Sequence, residues 1–137
     1  MNGMVFRPRH GLSLCAGGGG LDMGLMLAEP GYHTRAFVEW EDWPRAVLIA
    51  AQHAGYFAPA PIWTDLRSFD ARPFCGAFDI VLAGYPCQPF SAAGKRGGAD
   101  DPRHLWPDIA RVIFECRPAW VFLENVPGHV TLGLETV

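Results

Sequence analysis

The sequence predicts an α/β fold with a mainly parallel sheet and flanking helices, and three observations carry that prediction. Short apolar runs alternate with segments of helical period. The best of those runs, "FDIVLAG", is nearly continuous rather than alternating, as in strands covered on both faces. Glycine- or proline-bearing turns separate the two kinds of segment, as in "CAGGGGLD" and "AGYPCQPF". Taken in order, "GLSLCA" reads as a first strand and "GGGGLDMGLMLAE" as a glycine turn that opens a helix. "HTRAFVEW" reads as a second strand. In "WPRAVLIAAQHAG", Pro44 stands where a helix starts and Gly55 where it ends. "PIWTDL" is a short third strand, and "FDIVLAG" is the fourth. "HLWPDIARVIFEC" puts Leu105, Ile109, Val112, Ile113 and Cys116 on one helical face. "AWVFLEN" reads as a buried fifth strand, ended by Asn125 and Pro127.

The chain has 137 residues, about one domain's worth. Half are hydrophobic and 18% are charged, a balance that suits a globular core rather than disorder. The net charge of -3 gives no bulk basic footprint for nucleic acid. The start, "MNGMVFRPRHG", has no apolar leader, and no run approaches a membrane span, so a cytoplasmic protein without a membrane partner is expected. Cys15, Cys75, Cys87 and Cys116 show no C-x-x-C pairing, and the five histidines are scattered, so no metal site is expected. Cys116 and Cys75 read as small buried hydrophobes. "GHVTLGLETV" reads as the opening of a helix with no strand after it. The sheet is therefore expected to be truncated after its fifth strand, with its last edge uncovered, in a piece of something larger.

In doubly wound sheets ligands bind beyond the carboxyl ends of the strands. The unusual residues of this chain collect there: Gly17–Gly20 after strand one, Glu39 after strand two, Asp65 after strand three, Cys87 after strand four and Glu124 at the end of strand five. The glycines let a backbone approach a ligand at a helix N-terminus. The dinucleotide pattern G-x-G-x-x-G does not fit, because Asp22 and Met23 stand where its last glycine would be. Glu39 follows at about the spacing where an acid meets ribose hydroxyls. Trp40 beside it offers a flat face for adenine, and Asp65 an acceptor for an adenine amino group, or equally a turn cap. Pro86 and Pro89 stiffen the loop around Cys87, which suits an aimed nucleophile. Glu124 ends an apolar strand, where desolvation would let it hold a proton near neutrality.

"AGYPCQPFSAAGKRGG" and "FLENVPG" resemble the P-C-Q and E-N-V catalytic motifs of the cytosine-C5 DNA methyltransferases. "LCAGGGGLDMGL" is similar to that family's F-A-G-x-G-G loop, and the resemblance runs from about Gly11 to Gly128. It implies a Rossmann-like S-adenosylmethionine-dependent methyltransferase fold, with S-adenosylmethionine as cofactor and double-stranded DNA as partner. It implies a target cytosine flipped out of the duplex, Cys87 attacking its C6, and Glu124 engaging N3 while C5 is methylated. Cys15, Gly17, Gly18, Gly20, Glu39, Trp40, Asp65, Leu66 and Gly84 would line the cofactor site. Pro86, Gln88 and Asn125 would shape the base pocket, while Ser91, Lys95 and Arg103 would lie on the loop that closes over DNA.

Two residues depart from the pattern: Cys15 replaces an aromatic beside the adenine, and Ser13 stands where an aspartate is common. The larger departure is the absence of the family's Arg-x-Arg element, target-recognition domain and C-terminal segment. The resemblance thus implies a single cofactor-binding catalytic subdomain over residues 1–137, inactive alone, with a second polypeptide as one source of the rest. A tRNA cytosine-C5 methyltransferase and a non-catalytic cofactor- or partner-binding fragment are the competing readings. A cysteine hydrolase ranks last, because neither His104 nor His129 has the setting of a base.

Overall fold

In the computed structural model, which describes residues 7–85 and 105–125, one parallel sheet holds five strands. They are β1 (Arg9–Leu14), β2 (Tyr32–Val38), β3 (Ile62–Trp63), β4 (Ile80–Gly84) and β5 (Trp120–Glu124). Helices α1 (Gly20–Ala28), α2 (Asp42–His53) and α3 (Trp106–Cys116) connect them. The strand order is β3-β2-β1-β4-β5, so the chain changes direction across the sheet between β1 and β4. That switch point is where open α/β sheets leave a crevice for a ligand. The five strands and the three helices expected up to Glu124 are present in the expected order along the chain, while the helix expected to open in "GHVTLGLETV" lies outside the described residues.

Alternation along the strands sorts the core into two layers. Leu12, Leu14, Val38, Val81 and Ala83 face α3, packing on Ile109, Val112 and Cys116. Ile80 and Leu82 face the other way, against Leu25 and Met26 of α1. Phe37 joins Leu48 of α2 and Phe57 on that same side. In β2 the alternation is broken once, because Gly11 pairs with Thr34 and Leu12 with Ala36. Arg35 is the extra residue of this bulge, which turns both Thr34 and Phe37 to the α1–α2 side.

Under α1 the bulge builds a buried polar cluster. Asp22, fully buried in the first turn of α1, accepts hydrogen bonds from Ser13 Oγ at 2.7 Å and Thr34 Oγ1 at 2.6 Å. These bonds tie the helix start to β1 and β2. Burial pushes the Asp22 carboxyl above its ordinary value, against the opposing effect of the hydroxyl donors. The folded chain therefore holds this proton to higher pH than the unfolded chain does. Stability owed to the group is present at low pH and is lost as pH rises from the unfolded value near 3.8 through the raised folded value. Asp22→Asn removes that loss, so its stability relative to the unaltered chain is expected to improve across this window. Urea unfolding of both proteins from pH 4 to 7 measures the difference, and a pH-independent difference would remove Asp22 as its source.

Three sequence readings are corrected. The third strand is only two residues long, because the Asp65 carboxylate accepts the Arg67 amide at 2.9 Å and starts a 3-10 turn, Leu66–Ser68. The fifth strand is not buried: Trp120, Val121 and Phe122 are 64%, 42% and 53% exposed. Among the described residues β5 pairs with β4 alone, so its apolar run lies at the edge of the described sheet. Cys75 is exposed, whereas Cys116 is buried as expected.

Candidate functional site

The carboxyl ends of the strands converge on one cleft of about 550 Å³, within the range of about 300–1,000 Å³ that small-molecule sites occupy. Of the residues expected at a cofactor, Cys15, Gly17, Glu39, Trp40, Asp65, Leu66 and Gly84 line it. Gly18 and Gly20 stand outside this lining. Val38, Glu41, Pro44, Arg67 and Leu105 line it as well and were not foreseen. Glu41 could have been found as a second acid two positions after Glu39. Leu105 and Arg67 carried no signal, because only tertiary folding brings them to the crevice.

Glu39 organises one wall. It is 7% exposed, and its carboxylate accepts the Gly17 amide at 2.6 Å and the Glu41 amide at 2.8 Å. Charge-assisted bonds of this kind are the strong ones. Gly17 reaches the carboxylate through a left-handed turn with φ +54°. Gly19 is also left-handed, at φ +81°, and a Cβ there would lie 2.8 Å from the Phe57 ring. The loop therefore needs glycine at both positions. Each carboxylate oxygen keeps a lone pair beyond the one its amide uses, so Glu39 can still accept ligand hydroxyls. Arg45 bonds the Trp40 carbonyl and the Asp42 carboxylate, which fixes the backbone carrying the exposed Trp40 ring.

Cys15, at φ +50°, lies beside Glu39. Burial first, and the Glu39 charge second, push its thiol up to about 12. It is a neutral wall group at physiological pH and no nucleophile. Asp65 fills both roles the sequence left open, since it caps the 3-10 turn and lines the cleft.

The second wall joins the cleft to the reaction motifs. Gly84 of β4 pairs with Glu124 of β5. A Cβ on Gly84 would lie 3.4 Å from Glu124 Oε2, so the carboxylate sits beside the glycine wall of the cleft. Glu124 is exposed, which corrects the expectation of a desolvated carboxyl. One residue on, the Asn125 side chain interacts with the Tyr85 phenol, and the buried Tyr85 ring packs on Trp106 with centroids 5.9 Å apart. The chain thus ends β4 next to Glu124. Cys87 itself, with Pro86, Gln88, Ser91, Lys95 and Arg103, lies outside the described residues.

The cleft suits S-adenosylmethionine chemically. Glu39, Glu41 and Asp65 present acceptors to hydroxyl and amino donors and negative charge to a cation, while Trp40 and Leu66 supply apolar surface. The missing Cβ of Gly84 leaves room close to Glu124.

Known proteins share this sequence pattern and this fold. The family model of the C-5 cytosine-specific DNA methylases matches residues 10–135. The type II methyltransferase M.NgoMIV of Neisseria gonorrhoeae is 37% identical over 121 residues, covering 85% of this chain and 35% of that protein. M2.BsuMI of Bacillus subtilis is 33% identical over 130 residues, covering 89% and 30%. The chain thus spans about a third of the length of these relatives. In fold it is similar to the S. pombe Dnmt2 methyltransferase, with a TM-score of 0.69 at 21% identity over 91% of this chain and 38% of that one. The Spodoptera frugiperda DNMT2 structure gives the same TM-score at 19% identity over 93% and 38%.

Proposed function

Because the chain belongs to the C-5 cytosine-specific DNA methylase family, we propose that it is the cofactor-binding, nucleophile-bearing part of an enzyme that methylates C5 of cytosine in double-stranded DNA. The observation that carries this reading is the pairing of Gly84 with Glu124, which sets the cofactor cleft and the proposed catalytic carboxylate side by side. The curated relatives are type II methyltransferases, so modification of the restriction–modification kind, in the cytoplasm, is the setting we propose.

In this reading Glu39 receives the ribose hydroxyls, Asp65 the adenine amino group, and Trp40 covers the adenine face. When bound, S-adenosylmethionine supplies the electrophilic methyl group. The Cys87 thiolate adds to C6 of a flipped-out cytosine, and the C5–C6 electron pair moves towards C5. Glu124 engages N3, and a hydrogen bond there draws electron density from the ring and makes C6 electrophilic. After methylation, loss of the C5 proton restores the ring double bond and expels the thiolate. Pro86, Gln88 and Asn125 shape the base pocket, and Ser91, Lys95 and Arg103 contact DNA.

The relatives are about three times as long, and β5 ends the described sheet with exposed aromatic residues. Both facts support target-recognition and C-terminal elements from outside these 137 residues, whether from the same or a second polypeptide. The chain mixed with labelled S-adenosylmethionine and cytosine-containing duplex is expected to bind the cofactor and transfer little label. Robust turnover by the chain alone would overturn the need for further elements. No cofactor binding would overturn the assignment of the cleft.

A further inference from the structure

We propose that Arg111 is a positioning residue of the cofactor cleft, holding the wall that carries Asp65 and Leu66 against the helix that follows the Cys87 segment. The inference rests on the assignment of the cleft to S-adenosylmethionine. Arg111 lies on α3, and its side chain is about one-third exposed. Its Nη2 donates to the Leu66 carbonyl at 2.9 Å, and its Nη1 to the Phe69 carbonyl at 2.9 Å and Glu115 Oε2 at 3.1 Å. Asp108, one turn earlier, stands 3.7 Å from Nη2. Glu115 completes the clasp by accepting the Ala71 amide at 3.0 Å.

One helix turn thus grips the segment from Leu66 to Ala71 at three backbone groups. The grip bears on the cleft at both ends. Leu66 lines it and is 5% exposed, and Asp65 precedes Leu66. Leu105, just before α3, lines it from the other side. The residue type matters, because a planar guanidinium serves two carbonyls and a carboxylate together, whereas a lysine ammonium reaches them as a flexible point charge. Neither carbonyl belongs to a strand, so losing the fork leaves the segment held by the 3-10 turn's own bonds, by Glu115 and by the burial of Leu66, Phe69 and Ala71 in the core.

The test titrates the chain with S-adenosylmethionine by calorimetry and follows amide hydrogen exchange over residues 66–74. Arg111→Met is expected to weaken binding at least tenfold and to speed exchange over that segment. Arg111→Lys should recover part of both. Arg72→Met, which removes an exposed partner of Asp70 on the same segment, should change affinity less than twofold. The thermal midpoint of each variant shows that it is folded. A lowered midpoint with unchanged affinity means a merely structural role and overturns the proposal, as does unchanged exchange over residues 66–74. Failure of the unaltered chain to bind the cofactor strikes the cleft assignment itself and takes the proposal down with it. Unchanged affinity in Arg111→Met overturns the proposal alone.

Discussion

Cys87→Ser is expected to abolish methylation, lowering turnover by roughly three orders of magnitude or more in an assembly that contains the missing elements. A serine hydroxyl is far less acidic than a thiol and offers almost no oxyanion at neutral pH to add to C6. No other cysteine can stand in. Burial and the Glu39 charge hold the Cys15 thiol at about 12. Burial and the charges of Glu115 and Cys75 hold Cys116 at about 11. Cys75 precedes β4, at the strand end away from the cleft. The check is a methyl-transfer assay beside covalent trapping on duplex DNA containing 5-fluorocytosine. The unaltered protein should form a stable adduct and the variant none. Activity retained by Cys87→Ser would remove this residue from its role.

The second large effect is expected at Glu39. Its buried carboxylate holds two backbone amides and faces the cleft. Each bond to a charged group contributes about 1.5–3 kcal/mol. Glu39→Ala releases the glycine loop and removes the proposed ribose acceptor together, so cofactor affinity should fall roughly a hundredfold or more. Glu39→Gln is the sharper probe. Glutamine keeps one acceptor oxygen, but its NH₂ must confront either the Gly17 or the Glu41 amide, donor against donor. An intermediate loss of roughly tenfold or more is expected by calorimetry. A glutamine variant that binds as tightly as the unaltered chain would show that the second amide contact does not matter.

How much of this was legible in the sequence depends on the range of the interactions involved. The existence of the strands and their succession along the chain were readable, because each apolar run and its flanking turn are local. The five strand-end positions were readable for the same reason, and four of them, Gly17, Glu39, Asp65 and Glu124, stand at or beside one cleft. Burial was not readable. "WVFLE" and "DIVLAG" look alike, and although the last edge of the sheet was expected to be uncovered, only the neighbours supplied by the whole fold show that the faces of β5 are exposed too. The short β3 was hidden by a side chain competing with the backbone, since Asp65 takes the Arg67 amide. Cys15 as a thiol held neutral was equally hidden, because Glu39, which helps to hold it so, arrives from another strand. The Arg111 clasp spans 42 to 45 residues of chain, and no periodicity in α3 announces it.

The two margins of the sheet are unequal. On one side β3 offers two residues of ladder before the chain turns away. On the other, β5 offers five, with Trp120 and Phe122 on one face and Val121 on the other. Among the described residues, β5 is therefore the longer of the two margins on which a further strand could pair. A strand added there joins beside Glu124, across the sheet from Glu39 and Asp65. In the proposed reading, enlargement at that margin falls on the half assigned to the base and leaves the half assigned to the cofactor as it is.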